Sequence, residues 1–245
     1  MSKNLIQTIL KTVQPPRIIA CSKNGYNSNI VKKAHNWNVI GFEIRADYFL
    51  SQSEKNFEEK ISKSLSAILG GIVIFTIRSR REGGEFSGSK KQKESIFLEF
   101  LPWIDILDIE ISEIHKFQQL ISDAKKEEKC ILGSYHDFKS VPQINRAKDI
   151  ISKGKDYGAD FVKIAGTTNT SEELENLIKI QLELSGKVPL TVMGMGKYAL
   201  TSRVILANFG AIWTYGALVK PTAPNQPTCK EIYELSKMFI GRTQK

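Results

Sequence analysis

The chain has 245 residues, 41% apolar and 25% charged, which is ordinary for a soluble folded protein and outside the range of disordered or low-complexity chains. Lys and Arg outnumber Asp and Glu by 35 to 26, a net charge of +9. The excess is spread along the chain and pairs with no aromatic stripe, which argues against a nucleic-acid-binding face and suits a small anionic substrate.

Short β-branched and aromatic runs recur, with helical patterns between them. The first two are "RIIAC", 17–21, and "VIGFEI", 39–44. Phe57, Ile61, Leu65 and Ile68 keep one face of a helix over 54–69, with Gly70 placed for a left-handed cap. "GIVIFTI", 71–77, is the third run. The apolar stretch that contains it, 67–77, is the longest in the chain and still too short and glycine-rich to span a bilayer. "SKKQK", 89–93, reads as the solvated start of the next helix. "IDILDIE", 104–110, precedes a helix over 113–121 that aligns Ile114, Phe117 and Ile121. "CILGSY", 130–135, and "FVKIA", 161–165, follow. A capping box of Thr170 and Glu173 opens a helix to 184, with Gly186 at its end. After "PLTVMG", 189–194, and "AIWTYG", 211–216, a second box of Thr228 and Glu231 opens the last helix, to 240.

Most of these eight runs are near-continuously apolar, as strands covered on both faces are. Eight strands, each followed by a helical stretch, predict a single-domain (β/α)8 TIM barrel spanning residues 1–245. A doubly wound open sheet competes, but no G-x-G-x-x-G follows the first run. No secretion signal is read in "MSKNLIQTILKTVQPP". Cys21, Cys130 and Cys229 lie far apart without metal-ligand spacing. A cytoplasmic protein with no metal and no membrane partner is therefore expected.

Reactive groups in such a barrel gather at the C-terminal ends of the strands. Those ends carry Glu43 and Arg45, then Arg78 with Glu82, then Asp108 and Glu110, then Ser134 and His136, then Lys163. "MGMGKYALTSR" after the seventh run brings Lys197 and Arg203, and "TYGALVKPTAPNQP" closes the series. Singly, each has a plain explanation. A lysine in an apolar run snorkels at a strand end, and His136 is a hydrogen-bonded structural residue. Glu43 and Arg45 pair across one strand face, and "MGMGK" is a weak phosphate-cradle signal. Their shared phase in the βα unit favours a site instead. A lysine in a dry pocket gives up its proton more readily, and the neutral amine can attack a carbonyl to form an imine. The protonated imine acidifies the neighbouring C–H, which a histidine can deprotonate. The residues predict a Schiff-base enzyme for a small anionic ketone or aldehyde, with aldol cleavage and loss of water both open. A basic binding protein without turnover is the alternative from another class, and salt-dependent DNA affinity would reveal it.

Seven segments carry a family resemblance: "FEIRADYF" 42–49, "TIRSRREGGEF" 76–86, "GSYHDF" 133–138, "DFVKIA" 160–165, "MGMGKYALTSRV" 193–204, "TYGAL" 214–218 and "PTAPNQP" 221–227. In them the sequence resembles type I 3-dehydroquinate dehydratases, which are (β/α)8 barrels. The resemblance implies elimination of water from 3-dehydroquinate to give 3-dehydroshikimate in the shikimate pathway. It implies that Lys163 forms an imine with the C3 ketone. His136 would remove the C2 proton and help expel the C1 hydroxyl, oriented by Glu82. Arg203 would grip the substrate carboxylate with a bidentate fork. Glu43, Arg45 and Arg78 would bind ring hydroxyls, with Thr222 and Gln226 on a lid and Asp108 as a further partner of His136. No cofactor is implied; a homodimer is. The lid reads T-A-P-N-Q where S-A-P-G-Q is frequent, and Asn225 is the non-glycine residue best suited to positive φ. Cys21 stands where a small polar residue is common.

Overall fold

The computed structural model describes residues 3–51, 56–68 and 70–239. Eight strands form one sheet: β1 (Ile18–Ser22), β2 (Val39–Arg45), β3 (Ile72–Thr76), β4 (Ile106–Glu110), β5 (Cys130–Asp137), β6 (Phe161–Thr167), β7 (Leu190–Met195) and β8 (Thr214–Ala217). They lie side by side in chain order, all parallel, and β8 returns to pair with β1. The circle closes between β7 and β8 through single bonds rather than a ladder. Ile212 N donates to Leu190 O at 3.1 Å, and the Thr191 hydroxyl donates to Trp213 O at 3.0 Å.

The expected (β/α)8 barrel is thus observed. Ahead of β1 lies α1 (Lys3–Thr12). The crossovers are α2 (Ser28–His35), α3 (Ala46–Ser51), α4 (Phe57–Ala67), α5 (Lys90–Phe100), α6 (Gln118–Lys126), α7 (Ile144–Asp156), α8 (Ser171–Leu184) and α9 (Ala199–Asn208), and α10 (Cys229–Phe239) follows β8. The ends of two expected helices, at 54–55 and 69 and at 240, fall outside the described residues. Gly70 adopts the expected left-handed conformation, with φ +79°. Gly186 does not, because α8 ends at Ser185 in ordinary right-handed geometry. The stretch 113–121 divides into a 3₁₀ turn, Ile114–Phe117, and the start of α6. Both capping boxes form.

Alternation along each strand sorts side chains into two sets. Outward residues such as Phe42, Phe75, Leu107 and Ile131 pack beneath the helices. Inward residues Ile19, Ile72, Ile74, Ile106, Leu132, Phe161 and Trp213 fill the lower barrel, and Ile6 of α1 joins them. Fully burying each such side chain contributes about 1.5–3 kcal/mol. That apolar floor offsets the polar layer above it, where the next inward positions are Glu43, Thr76, Asp108, Ser134 and Lys163, all buried.

Candidate active site

The polar layer opens into a cleft at the C-terminal ends of the strands, as barrel geometry predicts. Lys163, on β6, is only 6% exposed. Its Nζ lies 3.6 Å from Glu43 Oε1 and 3.9 Å from the centre of the Tyr215 ring. Glu43 is held on both oxygens: the Thr76 hydroxyl donates to Oε1 at 3.0 Å, and the Cys21 thiol donates to Oε2 at 3.2 Å. Burial alone would raise the Glu43 carboxyl, but Lys163, Arg45, Arg78 and the thiol outweigh it and hold it at about 2. Glu43 is therefore an anion beside the lysine. Cys21 lines the cleft, and burial beside Glu43 pushes its thiol well above the ordinary range. It acts as a neutral donor, the part a hydroxyl residue would play there.

His136 lies within β5, two residues beyond Ser134, which pairs with Lys163 across the sheet. Its partner is Glu82. Glu82 Oε2 accepts the His136 backbone N–H at 3.1 Å and lies 3.1 Å from Nδ1, while the Ser112 hydroxyl donates to Oε1 at 3.0 Å. Burial, then Arg78, Lys163 and Arg45, hold the imidazole well below 6.5. It is neutral, so its contact with Glu82 is a hydrogen bond and not an ion pair. Assigned from that contact, Nδ1 carries the proton and Nε2 keeps the lone pair. Burial pushes Glu82 up to about 7 against the pull of Arg78.

Asp108, expected as an indirect partner of His136, makes no direct bond with it among the described residues. Arg78, entering from the end of β3, takes it: Nη2 bonds Asp108 Oδ2, and Nη1 donates to the Ser134 hydroxyl at 2.7 Å. Ser134 in turn donates to Asp108 Oδ1. Arg78 also lies 3.7 Å from Glu110 and 3.9 Å from Glu82. Glu110 receives the Lys93 ammonium at 3.0 Å. Lys93 is buried, so the solvated reading of 89–93 fails at this residue: a carboxylate lies beneath it at the end of β4.

Two further expectations change in detail. Glu43 and Arg45 do not pair; Arg45 forms a bidentate contact with Asp47, at 2.9 and 2.7 Å, under the Tyr48 ring. Arg203, on α9, cannot offer a carboxylate a full fork. Its Nε donates to Tyr215 O at 2.9 Å, and its Nη1 donates to Gly194 O and Ala199 O. Nη2 alone has no bond among the described residues. Burial without a carboxylate partner lowers the guanidinium to about 10, so it stays charged at neutral pH.

Thr222 and Gln226 reach the cleft together. Gln226 Oε1 accepts the Thr222 backbone N–H at 2.7 Å and its hydroxyl at 3.0 Å, which leaves Nε2 to donate. Asn225 takes positive φ, +52°, as its place in the loop had suggested. The glycine-rich loop forms no phosphate cradle at the cleft. Met193 and Met195 line the wall, while Lys197 is exposed beside Tyr198. Sequence reasoning placed Ser134 at a strand end without a role and missed Asp47, Thr76, Lys93, Ser112 and Tyr215. Strand alternation marks Thr76, Ser134 and Tyr215 as inward; nothing in residue type marks the others.

A buried amine, a neutral imidazole bonded to a carboxylate, and a guanidinium lacking a counter-ion meet at the strand ends. Together they define a (β/α)8-barrel enzyme for a small anion. Residues 19–241 match the family model of Type I 3-dehydroquinase. The 3-dehydroquinate dehydratase of Aquifex aeolicus is 33% identical over 212 residues, 86% of this chain and 93% of that protein. That of Clostridium novyi is 30% identical over 203 residues, 79% of each. The crystal structure of the Aquifex aeolicus protein superposes with a TM-score of 0.73 at 32% identity, covering 91% of this chain and 98% of that one. The Geobacillus kaustophilus structure shares the fold, with a TM-score of 0.81 at 20% identity over 94% and 93% of the two chains. The chain belongs to the type I 3-dehydroquinase family. Its activity is that of a 3-dehydroquinate dehydratase, a hydro-lyase of the shikimate pathway to aromatic amino acids. No described helix is long and apolar enough to cross a membrane.

Proposed function

We propose that the dehydration runs through an imine on Lys163, with His136 moving the protons. One observation carries the reading: the buried Lys163 amine and the neutral His136 imidazole line the same cleft. The neutral amine adds to the C3 ketone of 3-dehydroquinate, and the carbinolamine hydroxyl, taking up a proton from solvent, leaves as water to give a protonated imine; that proton is given back when the imine is hydrolysed. The Glu43 carboxylate, 3.6 Å from Nζ, offsets the iminium charge. His136 Nε2 takes the C2 proton, and its electron pair forms an enamine. The enamine then expels the C1 hydroxyl, protonated by the same imidazolium, as water. Hydrolysis of the conjugated imine returns one water molecule, releases 3-dehydroshikimate and restores the amine, so one water is lost overall.

Glu82 accepts from Nδ1 and so keeps Nε2 as the base. Arg203 Nη2 binds the substrate carboxylate. Arg45 and Arg78 hold ring hydroxyls, and Thr222 and Gln226 close over the ligand and shelter the imine from water. The homodimer implied by the resemblance belongs to the same proposal, and sedimentation of the purified protein checks it.

The experiment is borohydride reduction in the presence of substrate, with the adduct located by peptide mass mapping. One adduct on Lys163 is expected, together with loss of enone formation in Lys163→Ala. An adduct on Lys197 instead, or full activity in the alanine variant, overturns the reading.

A further inference from the structure

We infer that Tyr215 is a positioning residue for this reaction: the face of its ring carries the Lys163 amine, and its carbonyl fixes Arg203. The inference rests on the reading of Lys163 as the imine-forming residue.

Tyr215 stands on β8 with its side chain inside the barrel, 1% exposed. The Lys163 Nζ is 3.9 Å from the ring centre, well within the ~6 Å reach of a cation over an aromatic face. The hydroxyl does not explain the residue. It is buried beside the Trp213 indole, and among the described residues neither the hydroxyl nor Trp213 Nε1 makes a hydrogen bond of ordinary geometry, the indole being the polar neighbour of the phenol. Burial, and then the nearby Glu43, push the phenol well above its ordinary value. It therefore offers neither an acid–base group at neutral pH nor a negative charge.

The ring face suits an imine lysine in a way that a second carboxylate would not. A carboxylate would hold the amine by its N–H groups and compete with the carbonyl it must reach. The π face attracts positive charge without accepting a strong directed bond, so it stabilises the iminium charge that develops as the neutral amine reacts. With Glu43 3.6 Å from the nitrogen, the charge is stabilised while the amine remains free to react. The same residue accepts Arg203 Nε at 2.9 Å through its backbone oxygen. One strand position thereby relates the amine that binds the ketone to the guanidinium that meets the carboxylate.

Ring electronics can be tested without changing ring shape. Tyr215→Phe keeps the face and removes the buried hydroxyl. It should hold kcat/KM within about threefold of the parent and leave thermal stability equal or higher. Fluorinated phenylalanines at the same position, from 4-fluoro to pentafluoro, drain the negative potential of the face stepwise. The rate of borohydride-trappable imine formation should fall stepwise with fluorination, by about tenfold at pentafluoro. Tyr215→Leu should lose at least as much. If that variant does not fold, the fluorinated series decides. A flat series in a protein that still traps the imine overturns the role given to Tyr215 and leaves Lys163 untouched. Absence of trapping in the parent enzyme overturns the Lys163 reading and this inference with it.

Discussion

Glu82→Gln separates the electrostatic role of Glu82 from its shape. The amide keeps an oxygen for His136 and a group for Ser112, but loses the charge. At the observed 3.1 Å, a carboxylate stabilises an imidazolium by about 5 kcal/mol with an effective dielectric constant of ~20. Proton transfer is partial at the transition state, so about half of this, ~2.5 kcal/mol, is lost, a ~70-fold fall in kcat. The enone product absorbs in the ultraviolet and gives the rate directly. The pH profile adds a second reading. Ionised Glu82 becomes dominant only above about 7, so the parent kcat rises through that pH and levels off, whereas the variant lacks this limb. Stability moves the other way. Burial raises Glu82 from 4.5 to about 7. Between those values the folded chain holds a proton that the unfolded chain has released, so stability falls as pH rises through the window. Above it the full cost is ~3 kcal/mol. A glutamine, neutral throughout, escapes that cost, and at pH ~8 the variant should melt ~5 °C or more above the parent. A kcat within threefold of the parent, with no gain in Tm at alkaline pH, would refute the account.

Lys93→Met should strip the buried Glu110 of its ammonium partner at 3.0 Å. The loss should fall near the lower end of the ~3–5 kcal/mol typical of broken buried pairs, because Arg78 remains 3.7 Å away. Scanning calorimetry should show Tm reduced by ~6–12 °C, with most of it recovered on adding Glu110→Gln; an unchanged Tm contradicts the burial argument. Asn225→Gly should leave kcat/KM near the parent value. Asn225→Val should lower it several-fold, since a β-branched residue is disfavoured at φ +52° and the neighbouring Gln226 would shift. Equal kinetics for valine and asparagine would remove the loop conformation from the mechanism.

The sequence disclosed the fold where period and burial agree. Eight apolar runs are strands because both faces are covered, and their alternation carries Lys163, Glu43 and Arg203's neighbours to one rim. The expected end of the fifth strand at Tyr135 was short by two residues: β5 runs to Asp137, so His136 is a strand residue with an inward side chain. What stayed hidden were partner choices decided by distance in three dimensions. Asp108 and His136 are both inward, but Arg78 rises between β3 and β4 and claims the aspartate. Lys93 shares its run with solvated lysines, and only the position of Glu110 draws it inside. The ties of Arg203 to Gly194, Ala199 and Tyr215 are to carbonyls, which no pattern of residue types encodes.

Those ties also bear on why the site receives a monoanion. Arg45, Arg78, Lys93, Lys163 and Arg203 are buried around the cleft with Glu43, Asp47, Glu82, Asp108 and Glu110. Arg45 has Asp47, Arg78 has Asp108, Lys93 has Glu110 and Lys163 has Glu43. Arg203 is left with backbone oxygens alone, and Glu82, raised to about 7, is left sharing a proton near neutrality. The free enzyme is thus short of one negative charge at Arg203, the place that the proposed mechanism gives to the substrate carboxylate. The base is set elsewhere: burial, Arg78, Lys163 and Arg45 hold His136 well below 6.5. In that proposal Arg203 serves the ligand rather than the base, and the same residue joins β7 to β8 where the barrel lacks a ladder.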